Sequence, residues 1–204
     1  MPAVDPKLLR RRSTKVSWLL RHGANESGLA MTDDGFCAIV DVLRLLRLSR
    51  LELDEIVAEN NKTRFEISGD RIRAVQGHSF DGTPVTLDGL ERSWDIVETG
   101  ERVFHGTSVD AAFAILASDG IHSAARTHVH LAAATDAVVG KRHQVDVLLA
   151  IDPARLRLAG HRIFRAPNGV LLTRLVPASA IVDVIAQSDR GRQERRALLA
   201  RLTR

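Results

Sequence analysis

The pattern of apolar residues changes near residue 95, and this change divides the chain into two parts that must fold differently. Before that point, apolar residues recur at helical spacing over about 13–22, 40–47 and 51–60. The segments TRFEIS and RIRAVQ follow as a predicted hairpin, with Gly69-Asp70 at its turn. Three short helices and a two-stranded wing are typical of a winged helix, a common nucleic-acid-binding module.

The second part is rich in short apolar strands rather than helices. The predicted strands are RVFHG, HVHLA, VDVLLAID, RIFRA and VLLTRLV, with a helix over 110–117 and a hairpin turn at Asn168-Gly169. The sequence therefore predicts an α+β protein. We divide it into a winged-helix lobe (1–94), a second lobe (95–186) and a basic C-terminal tail helix (187–204), which we interpret as a solvated surface helix.

Composition narrows the class of protein. The chain has 204 residues, of which 45% are hydrophobic and 26% charged, as in ordinary soluble domains. The first twelve residues lack the apolar stretch of a signal peptide, and no run approaches a membrane span, so we expect a cytoplasmic protein that does not bind membranes. The single cysteine, Cys37, excludes an internal disulfide and fits a core position. A net charge of +4 favours a polyanionic partner such as nucleic acid.

The first helix ends on two cationic side chains. The run KVSWLLRHG finishes with Arg21, His22 and Gly23, and the glycine stands where a left-handed C-terminal cap is expected. The helix dipole favours each cation there by roughly 0.3–1 kcal/mol. A structural role is therefore enough to explain these residues when they are taken alone.

The segment ARTHVHLA carries three side chains that can be cationic. In a strand, Arg126, His128 and His130 would share one face. An H-x-H pair can ligate a metal, but an arginine on the same face repels a cation and no third ligand is evident, so we predict no metal site. The fixed fork of donors on arginine suits a phosphate instead.

Two further segments carry polar groups, and each has an ordinary structural alternative. The segment VFHGTS places His105, Gly106 and Thr107 at a strand end, where a glycine lets a ligand approach the backbone; a plain strand-end turn remains an alternative. The predicted wing contains more arginine than a wing needs, and a solvated wing remains an alternative. Its candidate side chains are Arg64, Arg71, Arg73 and His78.

Taken together, five motifs resemble the RNA 2′-phosphotransferase family over residues 14 to about 185. They are KVSWLLRH (15–22), KTRF (62–65), RIRAVQGHS (71–79), HGT (105–107) and RTHVHL (126–131). The resemblance implies that residues 1–94 hold RNA and that residues 95–186 form an ADP-ribosyltransferase-like lobe that binds NAD⁺. It also implies a reaction in which an internal RNA 2′-phosphate, of the tRNA splice-junction type, attacks the nicotinamide ribose of NAD⁺ and expels nicotinamide. The ribose 2″-hydroxyl then attacks phosphorus, which releases 2′-hydroxyl RNA and ADP-ribose 1″,2″-cyclic phosphate.

The resemblance assigns roles to particular positions. The family's catalytic Arg-His-Arg-Arg group matches Arg21, His22, Arg64 and Arg126, which gives the cationic helix end a function. The family's contacts to the ribose and nicotinamide region of NAD⁺ match His105 and His130, and we add Thr107 and Gly106 beside them. From the arginine-rich wing we assign Arg73 and His78 to RNA binding. Ala132 departs from the family, which usually has serine there, so a hydrogen bond to NAD⁺ worth about 0.5–1.5 kcal/mol is expected to be missing.

A missing residue type agrees with this chemistry. Protein-modifying ADP-ribosyltransferases use a late glutamate, but this chain has no glutamate between Glu101 and Glu194 and no tyrosine. A phosphate dianion is already a nucleophile, so charge stabilisation by arginine replaces a general base. We expect a monomer with no metal. Two alternatives stay open: an ADP-ribosyltransferase that caps terminal phosphates of RNA or DNA, and a winged-helix regulator of nucleic acid with a ligand-sensing second domain.

Overall fold

The structure is a computed structural model that describes residues 6–59, 63–137 and 145–202. The chain forms two compact units. The N-terminal unit holds the described residues up to Trp94 together with Ala125–Thr127, and the C-terminal unit holds Asp95–Ala124 and the described residues from His128 onward. Each unit has its own hydrophobic core.

The N-terminal unit combines helices with a small antiparallel sheet in the order β1-β3-β2. The segment after α1 is a π-helix, Leu19–Gly23. The other elements are α1 (Pro6–Trp18), β1 (Cys37–Ala38), α2 (Ile39–Leu46), α3 (Arg50–Ala58), β2 (Phe65–Ser68), β3 (Arg71–Ala74) and α4 (Leu87–Arg92).

Local sequence signals set the boundaries of these elements. Helix α2 ends at Arg47, which takes a left-handed conformation at φ 53°. Helix α3 begins after Ser49, whose side chain accepts from the Glu52 N–H while the Glu52 carboxylate accepts from the Ser49 N–H, a capping box. The β2–β3 hairpin turns at Gly69, where φ is +61°. The core between the helices and the sheet includes the fully buried Leu20, Val42, Leu53, Ile56 and Ile72.

The C-terminal unit is built mainly from short strands in three sheets, with orders β12-β8-β5, β4-β9-β10-β7 and β11-β6. Its strands are β4 (Asp95–Ile96), β5 (Val103–Thr107), β6 (Gly120–His122), β7 (Val129–Leu131), β8 (Val147–Ile151), β9 (Phe164–Arg165), β10 (Leu171–Thr173), β11 (Leu175–Pro177) and β12 (Ile181–Ala186). Its helices are α5 (Val109–Leu116), α6 (Pro153–Leu158) and α7 (Asp189–Leu202), with a 3₁₀ turn at Ala178–Ala180.

Strand β8 accounts for the apolar run VDVLLAID in the sequence. All five of its residues are buried, because β5 and β12 flank it on both edges and the core covers its faces. Helix α7 packs against β12 and buries Leu198 completely. The predicted solvated surface helix is therefore only partly right, since α7 exposes most of its charges but anchors itself through Leu198 in the core.

The α+β class is confirmed, and several predicted elements match the structure. The two helices after the first, the helix near 110–117 and the hairpins at Gly69 and Gly169 are all present. Three predictions were wrong in detail. The first helix begins at Pro6 rather than residue 13, VLLTRLV forms two strands rather than one, and the strand expected over 126–131 begins only at Val129. Asn60, the predicted end of the third helix, lies outside the described residues. In the described part of the chain, no helix has the length and apolar character needed to cross a membrane.

Candidate active site

The end of the first helix is a π-helix rather than the capped α-helix that the sequence predicts. Leu19 and Leu20 are buried and fix this turn in the core, and Arg21 and His22 follow as half-buried residues. Gly23 is not a left-handed cap, because the right-handed backbone continues through it to Ala24. π-turns occur mostly as single turns, often at functional sites.

Gly23 is required for a different reason, which is contact with Trp18. A Cβ built on Gly23 would overlap the six-membered ring of Trp18. The glycine thus makes room for the indole beside the backbone of the π-turn. The predicted left-handed cap at Gly23 was wrong, because packing against Trp18 and not φ makes the glycine necessary.

Ser79 connects the end of the first helix to Arg126. The Ser79 N–H donates to the Arg21 carbonyl at 2.9 Å, and the Ser79 hydroxyl shares a 3.2 Å hydrogen bond with Nδ1 of His22. Ser79 also forms an isolated antiparallel bridge with Arg126, and the Thr127 N–H donates to the His78 carbonyl at 3.0 Å. Ser79 therefore places Arg126 beside Arg21 and His22 within the N-terminal unit.

Arg64 reaches the same region from the start of the hairpin. Its carbonyl accepts from the Val75 N–H at 3.0 Å, which extends the β2–β3 pairing by one residue and fixes the backbone there. Its positive charge lowers the pKa of Arg21, so the two guanidinium groups are close. The structure thus brings together Arg21, His22, Arg64 and Arg126, four residues from distant parts of the sequence.

The electrostatics of this cluster are unfavourable in the protein alone. Burial, and next the charges of Arg64 and Arg126, lower the pKa of Arg21 to about 10. Nε and Nη2 of Arg21 are shielded from solvent, yet neither has a hydrogen-bond acceptor in the described part of the chain. Buried guanidinium donors normally have partners. An anion that accepted from Arg21 would relieve both the repulsion and the missing hydrogen bonds.

His22 belongs to the same electrostatic environment. Burial first, and then the charges of Arg21 and Arg126, lower its pKa below the ordinary histidine value. The imidazole is therefore neutral at neutral pH in the absence of an anion. It can accept a proton, and a bound dianion would raise its pKa by favouring the charged form.

A cleft opens beside this cluster. Its volume is about 820 Å³, and one wall is the exposed side of α1. The lining residues are Pro6, Leu9, Arg10, Ser13, Thr14, Ser17, Trp18, Arg21, His22, Ile56, Glu59 and Arg64. Three of the four predicted catalytic residues therefore face a space large enough for part of a nucleic acid strand.

The structure does not bring the two predicted RNA-binding residues of the wing into the cluster. Arg73 is only 4% exposed, lies under the ring of Phe36 and pairs with the Glu66 carboxylate at 2.7 Å. His78 is fully buried, with its ring next to Gly35. Both side chains have structural surroundings, and the contribution of His78 to the cluster is its backbone carbonyl.

In the C-terminal unit, the predicted NAD⁺-binding residues meet on neighbouring strands. Nδ1 of His105 on β5 lies 3.1 Å from the His130 carbonyl on β7, which fixes the orientation of the half-buried imidazole. Thr107 is 3% exposed, and its carbonyl accepts from the Asp146 N–H. A Cβ on Gly106 would lie 2.8 Å from Cγ1 of Val145, so this glycine serves close packing of the protein's own chain.

The shared face expected for Arg126, His128 and His130 does not exist. Hydrogen bonding of Thr127 to the 78–79 segment draws residues 125–127 into the N-terminal unit, and the strand starts after His128. His128 is 1% exposed and His130 is half-buried. Within the described ranges, no group of three or more His, Cys, Asp or Glu side chains is arranged as a metal site.

Sequence reasoning missed Ser79, Gly77 and Gly82 as parts of this site. Gly77, at φ +91°, lies against the Arg21 guanidinium, and a Cβ on Gly82 would overlap the His22 carbonyl. No periodicity links residues 21–22 to 77–82, because the contacts cross more than fifty residues of sequence. The only available signal was the position of Gly77 and Ser79 within the motif RIRAVQGHS.

Shielded arginine donors without acceptors in the described part of the chain, beside further arginines, are typical of proteins that bind phosphate groups. Comparison with known proteins makes this class specific. Residues 8–175 match the family model described as "RNA 2′-phosphotransferase, Tpt1 / KptA family", and the chain belongs to this family of transferases.

Individual relatives cover nearly the whole chain. A "Probable RNA 2′-phosphotransferase" of Burkholderia lata is 38% identical over 193 residues, which are 90% of this chain and 94% of the relative. Proteins of the same name from Agrobacterium fabrum and Pseudomonas syringae pv. tomato are 35% and 34% identical, over 86% and 84% of this chain and 96% and 92% of theirs.

Proposed function

We propose that this protein is an NAD⁺-dependent RNA 2′-phosphotransferase that removes an internal 2′-phosphate from RNA. The observation that carries the proposal is the half-buried Arg21 guanidinium, two of whose shielded nitrogens have no acceptor among the described residues, with Arg64 and Arg126 close by. A phosphate dianion offers several acceptor oxygens and two negative charges, which suit such a cluster. Family membership makes the RNA 2′-phosphate the natural ligand.

In this proposal, the N-terminal unit is a winged-helix RNA-binding lobe and the C-terminal unit is an ADP-ribosyltransferase-like lobe that binds NAD⁺. The imidazoles of His105 and His130 and the backbone groups beside them offer hydrogen bonds of the kind that ribose hydroxyls and a carboxamide need. This donor set fits a dinucleotide. NAD⁺ supplies the electrophilic ribose carbon, with nicotinamide as the leaving group.

The cationic cluster then has two tasks. In the first step, an oxygen of the 2′-phosphate attacks the anomeric carbon of the nicotinamide ribose, and nicotinamide leaves with the bonding electrons. Arg21 and Arg64 hold the phosphate for this attack, which gives RNA-2′-phospho-ADP-ribose. In the second step, the ribose 2″-hydroxyl attacks phosphorus and the RNA 2′-oxygen leaves. Arg126 stabilises the crowded anionic transition state, and His22 can take the hydroxyl proton or deliver one to the leaving oxygen.

The direct test is incubation of the protein with a 2′-phosphorylated oligoribonucleotide, with and without NAD⁺, in buffer containing EDTA. We expect NAD⁺-dependent release of nicotinamide and ADP-ribose cyclic phosphate, with full activity in EDTA. Strict dependence on added zinc or magnesium would contradict the mechanism. A stable ADP-ribosylated end on the nucleic acid would indicate a capping enzyme. Sequence-specific duplex binding without turnover would indicate a regulator.

Substitution of Arg64 links the activity to the cluster. We expect Arg64→Ala to lower kcat/KM by about 10- to 150-fold, because a charge-assisted phosphate contact contributes about 1.5–3 kcal/mol. Lysine should restore little, since it lacks the planar fork. Arg44→Ala is the matched control, because Arg44 lies on α2 with its side chain 68% exposed and pairs with Asp41. Equal rates for both variants would remove Arg64 from the site.

A further inference from the structure

Trp18 is an exposed tryptophan that lines the cleft beside Arg21 and His22. It is the last residue of α1 and is 44% exposed, although the adjacent Leu19 and Leu20 are buried. The six-membered ring of its indole lies against Gly23, where the absence of a side chain makes room for the ring. The indole is thus held in place without being buried, and it lines the cleft.

The surroundings of the exposed indole are those of a nucleic acid strand rather than of an apolar partner. Arg21, His22 and Arg64 line the same cleft, and Arg10 lies further along α1. Three hydroxyl side chains lie between Arg10 and Trp18, and among the described residues of the lining Glu59 is the single acidic group. A positively charged groove that contains an aromatic side chain is the usual arrangement for binding single-stranded RNA, with phosphates on the cations and a base on the ring.

The spacing along the helix limits which base can reach the ring. Trp18 and Arg21 are three residues apart, which is less than one turn and at most about 4.5 Å along the helix axis. Neighbouring bases in a stacked strand are about 3.4 Å apart. If the 2′-phosphate lies on Arg21, the base that meets Trp18 therefore belongs to the phosphorylated nucleotide or to one of its direct neighbours.

We propose that Trp18 is a stacking platform for a nucleobase of the RNA substrate, within one nucleotide of the 2′-phosphate. The inference rests on the proposed function, because it takes the phosphate position from the Arg21 cluster. Trp18 is then a substrate-positioning residue: the stacked base and the bound phosphate together fix the reacting nucleotide at two points. Because every base has an aromatic face, the platform accepts any sequence, which suits an enzyme that recognises a phosphate rather than a base.

Fluorescence gives a direct measurement, because the chain has only two tryptophans. Trp94 is 7% exposed and its indole N–H donates to the Val75 carbonyl at 3.0 Å, so RNA in the cleft cannot stack on it. We expect a 2′-phosphorylated hexaribonucleotide, added without NAD⁺, to quench the emission of the wild-type protein. The Trp18→Phe variant, in which Trp94 is the only fluorophore, should show no quenching although it still binds RNA.

A series of variants separates stacking from packing against Gly23. Replacing an aromatic residue that stacks on one base by alanine lowers the affinity for the nucleic acid by roughly 5- to 150-fold. We therefore expect Trp18→Ala and Trp18→Leu to raise Kd and KM by at least 5-fold with kcat changed less, whereas Trp18→Phe stays within about 3-fold of wild type. Leucine covers Gly23 without an aromatic face, so it reports stacking even if alanine unfolds the helix end. Leu8→Ala is the control, because Leu8 is an exposed apolar residue on α1 that does not line the cleft.

Oligonucleotides that lack one base complete the test. In the wild-type protein, an abasic site at one of the three nucleotides centred on the 2′-phosphate should weaken binding as much as Trp18→Leu does, and the two changes together should weaken it no further. The inference is overturned if Trp18→Leu binds intact RNA as tightly as wild type does. It is also overturned if the substitution raises Kd by the same factor for all three abasic RNAs as for intact RNA. Turnover of 2′-phosphorylated RNA by wild type in the same experiment would leave the proposed function in place. Absence of turnover, with Trp18-dependent quenching retained, would refute the function and leave the platform.

Discussion

Replacement of Arg21 by methionine should make the protein more stable and inactive at the same time. Burial and two neighbouring arginines lower the pKa of Arg21 to about 10. At 1.36 kcal/mol per tenfold change in proton binding, holding this guanidinium charged at neutral pH costs about 3 kcal/mol. The sign follows from linkage: the unfolded chain binds the proton more tightly, so the full penalty is present at neutral pH, and it decreases as pH rises from the folded-state pKa towards the unfolded-state pKa.

Methionine keeps the unbranched stem and removes the charge, and the two shielded nitrogens of Arg21 have no acceptors to lose among the described residues. We expect Arg21→Met to raise the free energy of unfolding by about 2 kcal/mol, which is a Tm increase of roughly 4–8 °C at this chain length. The assay is urea unfolding at neutral pH together with a thermal scan. Inorganic phosphate should stabilise the wild-type protein further, as any ligand of the native state does, and should not stabilise Arg21→Met.

Arg73→Met is the matched control, because Arg73 also has a guanidinium shielded from solvent but donates to protein acceptors. Its guanidinium pairs with the Glu66 carboxylate at 2.7 Å and donates to the Asp34 carbonyl. The same substitution there leaves those acceptors without a donor and should lower stability by about 1–3 kcal/mol. The reasoning is refuted if Arg21→Met destabilises the protein as much as Arg73→Met does, since Arg21 would then be satisfied by the protein itself.

Three further outcomes follow from the same site. By NMR, the imidazole of His22 should titrate below pH 6.5 in the free protein, and its pKa should rise when inorganic phosphate binds; an unchanged pKa would place phosphate elsewhere. Arg126→Ala and His22→Ala should slow the second step more than the first, so that RNA-2′-phospho-ADP-ribose accumulates as a slower band in a denaturing gel; a parallel fall of nicotinamide release and final product, without that band, would contradict this division. Gly82→Ala should lose about 1–3 kcal/mol of stability and most activity, because its Cβ overlaps the His22 carbonyl, whereas Gly100→Ala, which has open space around it, should change neither.

Local signals in the sequence predicted most of the regular structure. The turn glycines Gly69 and Gly169 act over a few residues, so the sequence alone reveals them. The π-turn could not be predicted in this way. Its residues follow the helical pattern, and the reason for Gly23 is the indole five residues earlier rather than a turn conformation.

The candidate site depends on contacts between distant residues. Arg21, His22, Arg64 and Arg126 were named from motif resemblance, but nothing in their local sequence shows that Ser79 joins them. The strand expected over 126–131 was wrong for the same reason. Side chains alternate between two faces only within a regular strand. Here the Thr127 N–H donates to the carbonyl of residue 78, and the regular strand begins only at Val129.

The measurement that tests the central claim most directly is the difference in affinity between two RNAs that differ only in the 2′-phosphate. Kd is measured without NAD⁺ for a hexaribonucleotide with one internal 2′-phosphate and for the same RNA with a 2′-hydroxyl, with wild type and with Arg21→Met. We predict that wild type prefers the phosphorylated RNA by at least 10-fold, as expected for one charge-assisted contact of about 1.5–3 kcal/mol, and that Arg21→Met loses this preference. Equal affinity of wild type for the two RNAs would contradict the assignment of the Arg21 cluster as the 2′-phosphate site.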